Sequence, residues 1–496
     1  HGVPDAITQP AMIQRGGNMN ANEPVRQQNG YLVKLEGCFK DQSRGQILLH
    51  RAYRGIAQVA CKDESATMAP ESEFSIAVLT VPARRHIRVF QVHQFLDRFA
   101  MGLTVAVVAL ALSDRGMDLF QISLLFGVYS LTTMAMELPF GGLADTIGRK
   151  PVFLSAVVAS MVSLALFLST SDFHVLALSF AFIGFGRALR SGTLDAWFVE
   201  TFKVAAPNVD IQPALAKAQG ANAMGLAVGA ILGGILPDLL GSVTERLGFS
   251  VYDVSYAASL AVMLGVFIYT LCVIEEKPRP LNPQALKQGF TAVPLVIKGA
   301  SLIALRNPAL SMLLAALVFF LTATNPVEVI WPTHAKPMLE EGYANSFIGI
   351  LTAAYFVSIA FGASLSPRIS RIFKRRHATT LAAAFAGLAG LQIALALQVN
   401  IVIFVAVFIL YSVFLGVSET PASSILHRCV QDHQRSTMLS LRSLMQQLGA
   451  ALGLILAGAI AEVYSTPVAW MASAVFLVVA AFLISILAKR LTFEIE

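Results

Sequence analysis

Charge is scarce in this chain. Only 13% of its 496 residues are Asp, Glu, Lys or Arg, against about a quarter in an ordinary soluble domain. With 56% hydrophobic residues and a mean hydropathy of +0.66, it has too little polar surface to coat a water-soluble fold. Cysteine is rare as well. Cys38 and Cys61 lie in a polar amino-terminal region, and Cys272 and Cys429 lie near span ends expected to face a reducing compartment, so no disulfide framework is implied. The nine histidines are scattered without metal-ligand spacing, and no G-x-x-x-x-G-K-[ST] loop occurs. Metal site, cofactor, ATP-driven pumping and enzyme chemistry therefore all lack a sequence signal. Segments of about ten residues alternating in polarity are also missing, which argues against a transmembrane β-barrel.

What the chain has instead is a series of apolar runs of about 20 residues, the length a helix needs to cross roughly 30 Å of hydrocarbon. Twelve spans are expected, at 89–112, 119–141, 152–170, 173–199, 213–237, 253–274, 308–331, 343–365, 378–398, 400–424, 438–462 and 467–488. The fold class is therefore an all-α membrane protein in a lipid bilayer. Residues 1–88 read as a disordered amino-terminal segment. Residues 89–274 and 308–488 each hold six spans, joined by a Pro-rich linker at 275–307 whose latter part suits an interfacial helix, and 489–496 form a tail. Met68, about twenty residues before the first span, is an expected start, and "FSIAVLTVPA" (74–83) is too short and lacks the cleavage pattern for a signal peptide.

The net charge of +6 would suggest an anionic partner in a soluble protein, but its placement speaks of topology. Twenty-two Lys and Arg fall on the side of the amino-terminal segment, and only Arg115, Arg246 and Lys336 on the other. The positive-inside rule then puts both termini in the cytoplasm, and no nucleic-acid partner is expected.

"GGLADTIGRKP" (141–151) breaks the apolar pattern between the second and third spans. Gly141 and Gly142 remove side chains where a helix ends, and Pro151 suits the first turn of the next. Asp145 stands near that helix's amino end, within reach of Arg149 or Lys150. A solvated turn carrying two inside bases is the plain alternative. The stretch resembles the G-x-L-x-D-x-x-G-R-[KR] motif of the major facilitator superfamily, with Gly141, Leu143, Asp145, Gly148, Arg149 and Lys150 all matching. The resemblance covers about residues 89–490 and implies two six-helix bundles, with Asp145 and Arg149 in a charge network that gates the conformational cycle. "GASLSPRISRIFKRR" (362–376) is its positional echo in the second half, without the Asp.

The fifth span carries Gly225, Gly229, Gly233 and Gly234, three of them at four-residue spacing on one helical face where another helix can approach closely. This also resembles the superfamily's antiporter signature G-x-x-x-G-P-x-x-G-G, with Ala230 in place of the proline. "GLAVGAILGG" (225–234) has a partial repeat in "GAALGLILAG" (449–458).

Ionisable residues inside spans are costly unless paired or wet, so they mark function. The candidates for proton coupling or the substrate path are Asp97, Arg98, Glu137, Arg187, Glu328 and Glu419. Asp97, Arg98 and Glu137 equally suit an interfacial position. Arg190 and Asp195 read as a local pair. "GFGRALRSG" resembles the superfamily's fourth-helix R-x-x-x-G pattern displaced by one, which implies a role in proton transfer for Arg187. Glu328 beside Pro326 and Glu419 beside Pro421 stand where a helix bends around a cavity, with Asn325 and Trp331 nearby.

The expected function is proton-coupled export of small, largely apolar compounds by a monomer in the bacterial plasma membrane. The alternatives are an uptake permease for a sugar, amino acid or organic ion, and a non-transporting receptor or lipid-handling protein on the same scaffold.

Overall fold

In the hydrocarbon core a backbone polar group has no water to turn to, so a chain this apolar folds into helices that satisfy their own backbones. The computed structural model describes residues 80–276, 283–340, 342–374, 376–431 and 434–493. Reading residues 1–79 as disordered concerns positions outside these.

Among the described residues there are sixteen α-helices: α1 (Val81–Val105), α2 (Val108–Asp114), α3 (Leu119–Gly141), α4 (Leu143–Ile147), α5 (Arg149–Ser169), α6 (Phe173–Arg190), α7 (Thr193–Ala205), α8 (Gln212–Arg246), α9 (Asp253–Val273), α10 (Pro283–Arg306), α11 (Pro308–Ala335), α12 (Ala344–Ile372), α13 (His377–Ala396), α14 (Ile401–Cys429), α15 (Arg435–Val463) and α16 (Thr466–Phe493). Among the described residues, twelve stretches are long and apolar enough to span a membrane; α1 with α2 makes the first and α6 with α7 the fourth. The chain is a multi-pass integral membrane protein. One end of the helices carries the 141–151 turn and most of the bases, and is called the basic end below; the other is the opposite end.

Local chemistry sets where the helices begin. The first starts eight residues ahead of the expected span, because the Thr80 hydroxyl accepts from the Ala83 backbone at 3.3 Å and a proline occupies the first turn. Arg84, Arg85 and Arg88 therefore extend the helix beyond the apolar run. Asp118 and Gln121 form a reciprocal capping box on α3. Span four breaks at Gly192, whose φ of +71° turns α6 into α7.

Lipid tails are as apolar as leucine, so helices in a bilayer associate through close packing rather than burial from water. The glycine stripe of α8 does this against α1. A Cβ at Gly225, Gly229 or Gly233 would run into the carbonyl of Phe95, Phe99 or Leu103, respectively. The same relation recurs 224 residues later: Gly449 and Gly453 of α15 lie on the carbonyls of Val318 and Thr322 of α11. The last glycine of each set faces the other bundle. Gly234 lies on Asn345 and Gly349 of α12, and Gly458 on Ser123 of α3. Each fifth helix thus packs on the first helix of its own bundle and crosses the second helix of the other. Val357, Phe361, Val475 and Phe482 stay exposed, as lipid-facing side chains do.

Replacing Gly229 by Leu will force α8 off α1 and lower stability by about 1–3 kcal/mol or more. Gly265→Ala in α9, where a Cβ meets nothing within 4 Å, will leave the melting temperature unchanged. Thermal unfolding of the two purified variants in one detergent checks this.

Candidate functional site

The 141–151 turn is a junction of three helix ends. Gly148, at φ +98°, reverses the chain between α4 and α5, a conformation that L side chains avoid. Pro151 has no N–H, so the amides of Arg149 and Lys150 are the donors at the start of α5 left without intrahelical partners. Glu276, just beyond α9, supplies them: its Oε1 accepts from the Arg149 backbone at 2.9 Å and its Oε2 from that of Lys150 at 2.7 Å. Lys150 reciprocates at the end of α9, donating Nζ to the carbonyls of Leu271 at 2.8 Å and Ile274 at 2.7 Å. Arg149 is buried and donates Nη2 to Glu200 of α7 at 2.6 Å. Leu143 packs on the cluster of Val152, Ala156 and Leu189. Gly141 closes α3 and Asp145 lies in α4, but the Asp145 side chain is outside the described positions, so its pairing with Arg149 stays an expectation. Sequence reasoning assigned the anion at this helix terminus to Asp145 and missed Glu276, which is 126 residues from the amide it caps.

Inside the first bundle, Asp97 is buried against Arg190 of α6, whose Nε stands 3.1 Å from its carboxylate. This replaces the expected Arg190–Asp195 pair. Asp195 lies beyond the Gly192 break and accepts instead from Gln94 at 3.1 Å, which in turn accepts from Asn222 at 3.2 Å. One turn before Asp97, His93 is buried with its Nε2 3.0 Å from the Thr270 hydroxyl. Arg98 points elsewhere and meets Met101 Sδ at 3.5 Å.

Arg187 and Glu328 occupy the space between the bundles. Each has an accessible side chain, while its immediate neighbours, Gly186 and Ala188 or Val327 and Val329, are buried. The two charges lie within electrostatic reach of each other, and Glu328 is also close to Tyr355 and Tyr411. Side chains of two different bundles that sense each other lie on the side of their helices turned toward the other bundle rather than toward lipid. Arg187 donates Nη1 to the Tyr129 hydroxyl at 2.6 Å, with its guanidinium 5.8 Å from that ring. Toward the basic end, Glu137 accepts from Ser443 of the other bundle at 2.7 Å.

Glu419 is held differently. Arg442, a buried base of α15, donates to it at 2.6 Å and to Ser423 at 2.8 Å. Trp331 is packed into the second bundle's core, 4.8 Å from the ring of Phe408. At the opposite end Arg115 is buried in an ion pair with Asp253, with its guanidinium 4.3 Å from the centre of the Phe167 ring. Nearby, Tyr252 donates to Asn345 at 3.1 Å and accepts from Lys336 at 2.6 Å. Burial, with Asp114 and Asp238 close by, pushes its hydroxyl pKa up, so it stays a donor. No group of three His, Cys, Asp or Glu is placed to hold a metal among the described residues.

Comparison with known proteins agrees with this architecture. The sequence profile of the Major Facilitator Superfamily matches residues 93–334 and 327–494. Quinolone resistance protein NorA of Staphylococcus aureus is 26% identical over 212 residues, 41% of this chain and 50% of that protein. The chain thus spans about half the length of the curated relatives it matches. In three dimensions it resembles the nucleoside transporter NupG (TM-score 0.65, 14% identity, 82% of this chain and 99% of that one). It also resembles a bacterial homolog of the human lysosomal transporter Spinster in an inward-facing, unoccupied conformation (TM-score 0.66, 15% identity, 83% and 98%).

Removing one member of a buried ion pair leaves an uncompensated charge, at a cost of about 3–5 kcal/mol. Arg190→Met will therefore destabilise the protein by that amount, and adding Asp97→Asn will restore most of the loss, as read by thermal unfolding in a double-mutant cycle.

Proposed function

The chain belongs to the major facilitator superfamily of transporters, a family of non-enzymes, and we propose that it is a proton-coupled exporter of small, largely apolar compounds. The observation that carries this reading is that Arg187 and Glu328, one from each bundle, lie within electrostatic reach of each other between the bundles. A carboxylate in that position can take a proton from one side and release it to the other once the bundles rock. Its charge state also decides how strongly the two halves attract each other through Arg187, which links protonation to conformation. Glu328 is therefore assigned as the proton carrier and Arg187 as the group that tunes it. Glu419, clamped by Arg442, and Asp97, paired with Arg190, serve to hold their own bundles together.

The positive-inside distribution supports a cytoplasmic basic end and a plasma-membrane location. The 141–151 junction, with the expected Asp145–Arg149 network, then acts as the cytoplasmic gate. Export is supported by the partial similarity to a quinolone resistance protein, so quinolones are a first set of compounds to test. Ala230, where the resembled antiporter signature has proline, favours the second reading, an uptake permease.

Purified protein in liposomes under pH gradients of opposite orientation decides between these readings. An exporter will move substrate against the inward proton gradient and stop when the gradient is reversed, whereas an uptake permease coupled in symport will move it with the protons. Glu328→Gln will abolish gradient-driven transport while retaining counterflow exchange. Full gradient-driven transport in that variant contradicts the assignment.

A further inference from the structure

The opposite end of the molecule holds two carboxylates that do the same task in two places. Asp238 follows Pro237 in α8. It reaches across to the other bundle, where α12 begins at Ala344 and its own N-cap residue, Tyr343, makes no side-chain cap. Asp238 supplies that cap: Oδ1 accepts from Asn345 Nδ2 at 2.8 Å, and Oδ2 accepts from the Ser346 backbone at 2.7 Å and its hydroxyl at 2.6 Å. In the other direction, Glu462 of α15 accepts through Oε2 from the backbone of Leu119 at 3.2 Å. Leu119 is the first residue of α3, whose own cap, Asp118, is already engaged with the Gln121 backbone.

The two acids lie 224 residues apart, the spacing that relates the two glycine stripes. In each case the fifth helix of one bundle presents a carboxylate to the amino end of the second helix of the other. A helix amino terminus carries about half a positive charge and unpaired N–H donors, so a carboxylate there makes charge-assisted hydrogen bonds. These bonds exist only while the bundles meet at this end, so their whole contribution favours the closed arrangement. Gly234 and Gly458, one turn before each acid, let the backbones come close enough for the carboxylates to reach.

We propose that Asp238 and Glu462 are a pair of repeat-related latches that hold the opposite end of the transporter shut by capping helices of the other bundle. The two are unequal. Asp238 makes three hydrogen bonds and is backed by the Lys336–Tyr252–Asn345 chain, while Glu462 makes one. The Asp238 latch is therefore the stronger.

The test is the maleimide labelling rate of Ser123→Cys in full-length protein whose four native cysteines are replaced. Ser123 is fully buried between the bundles at this end, so its labelling reports opening. Adding Asp238→Ala will speed labelling about tenfold, Glu462→Ala about threefold, and both together about thirtyfold, because the sites are separate and their effects combine independently. A cysteine at Ser366, buried within the second bundle between α12 and α14, will label no faster in any of these variants. The conservative pair Asp238→Asn with Glu462→Gln will act in the same direction with smaller size, and it decides the question if the alanine variants aggregate. An unchanged Ser123→Cys rate in the double variant, or an equal acceleration at Ser366→Cys, overturns the proposal.

Discussion

Two helix backbones touch where α8 crosses α1, and the rest of the structure depends on that contact and its repeat between α15 and α11. In a bilayer there is no water to drive helices together, so rigidity within a bundle comes from atoms brought to van der Waals distance. Glycine at three turns of α8 removes the side chains that would hold the backbones apart. Once the fifth helix is fixed on the first, its next glycine and the acid one turn beyond must face the neighbouring bundle. Packing inside each half thus determines what it presents to the other half.

The polar groups divide along the same line. Arg190 with Asp97, Arg442 with Glu419 and Arg115 with Asp253 join helices of one bundle and stiffen it. Glu137 with Ser443, Asp238 with the start of α12, and Glu462 with the start of α3 join the two bundles. Arg187 and Glu328, one on each bundle, lie within electrostatic reach of each other. Ion pairs held inside one bundle resist change, whereas hydrogen bonds between the bundles can be exchanged for water when the bundles separate. The chain therefore combines two stiff halves with a sparse polar interface, which is the arrangement that rocking requires.

Much of this is legible in the sequence. Twelve apolar runs and the glycine spacing give the spans and the face on which α8 packs, because both are properties of one helix. The 141–151 motif is local, and its turn is where it was expected. What escapes is the partner. Whether Arg190 turns to Asp97 or Asp195 depends on the rotation of α6 and on the Gly192 break, and sequence distance favoured the wrong acid. Glu276 and Glu462 look like ordinary residues at span ends, and only the fold brings them to amides 126 and 343 positions away. In the sequence Arg442 is one basic residue among many near span ends, although it is buried and holds Glu419. A search for acids placed 224 residues apart beside matching glycines would have singled out Asp238 and Glu462.

The central claim is that stiff bundles move against each other, and disulfide crosslinks test it most directly. Ser163→Cys with Ser179→Cys joins α5 to α6 within one bundle, where the hydroxyls stand 3.0 Å apart. Asp238→Cys with Ser346→Cys joins the bundles at the opposite end, where the side chains are 2.6 Å apart. With transport in proteoliposomes as the readout, the first crosslink is predicted to leave transport intact, and the second to stop it until a reductant is added. Continued transport through the second crosslink, or arrest by the first, would contradict the account.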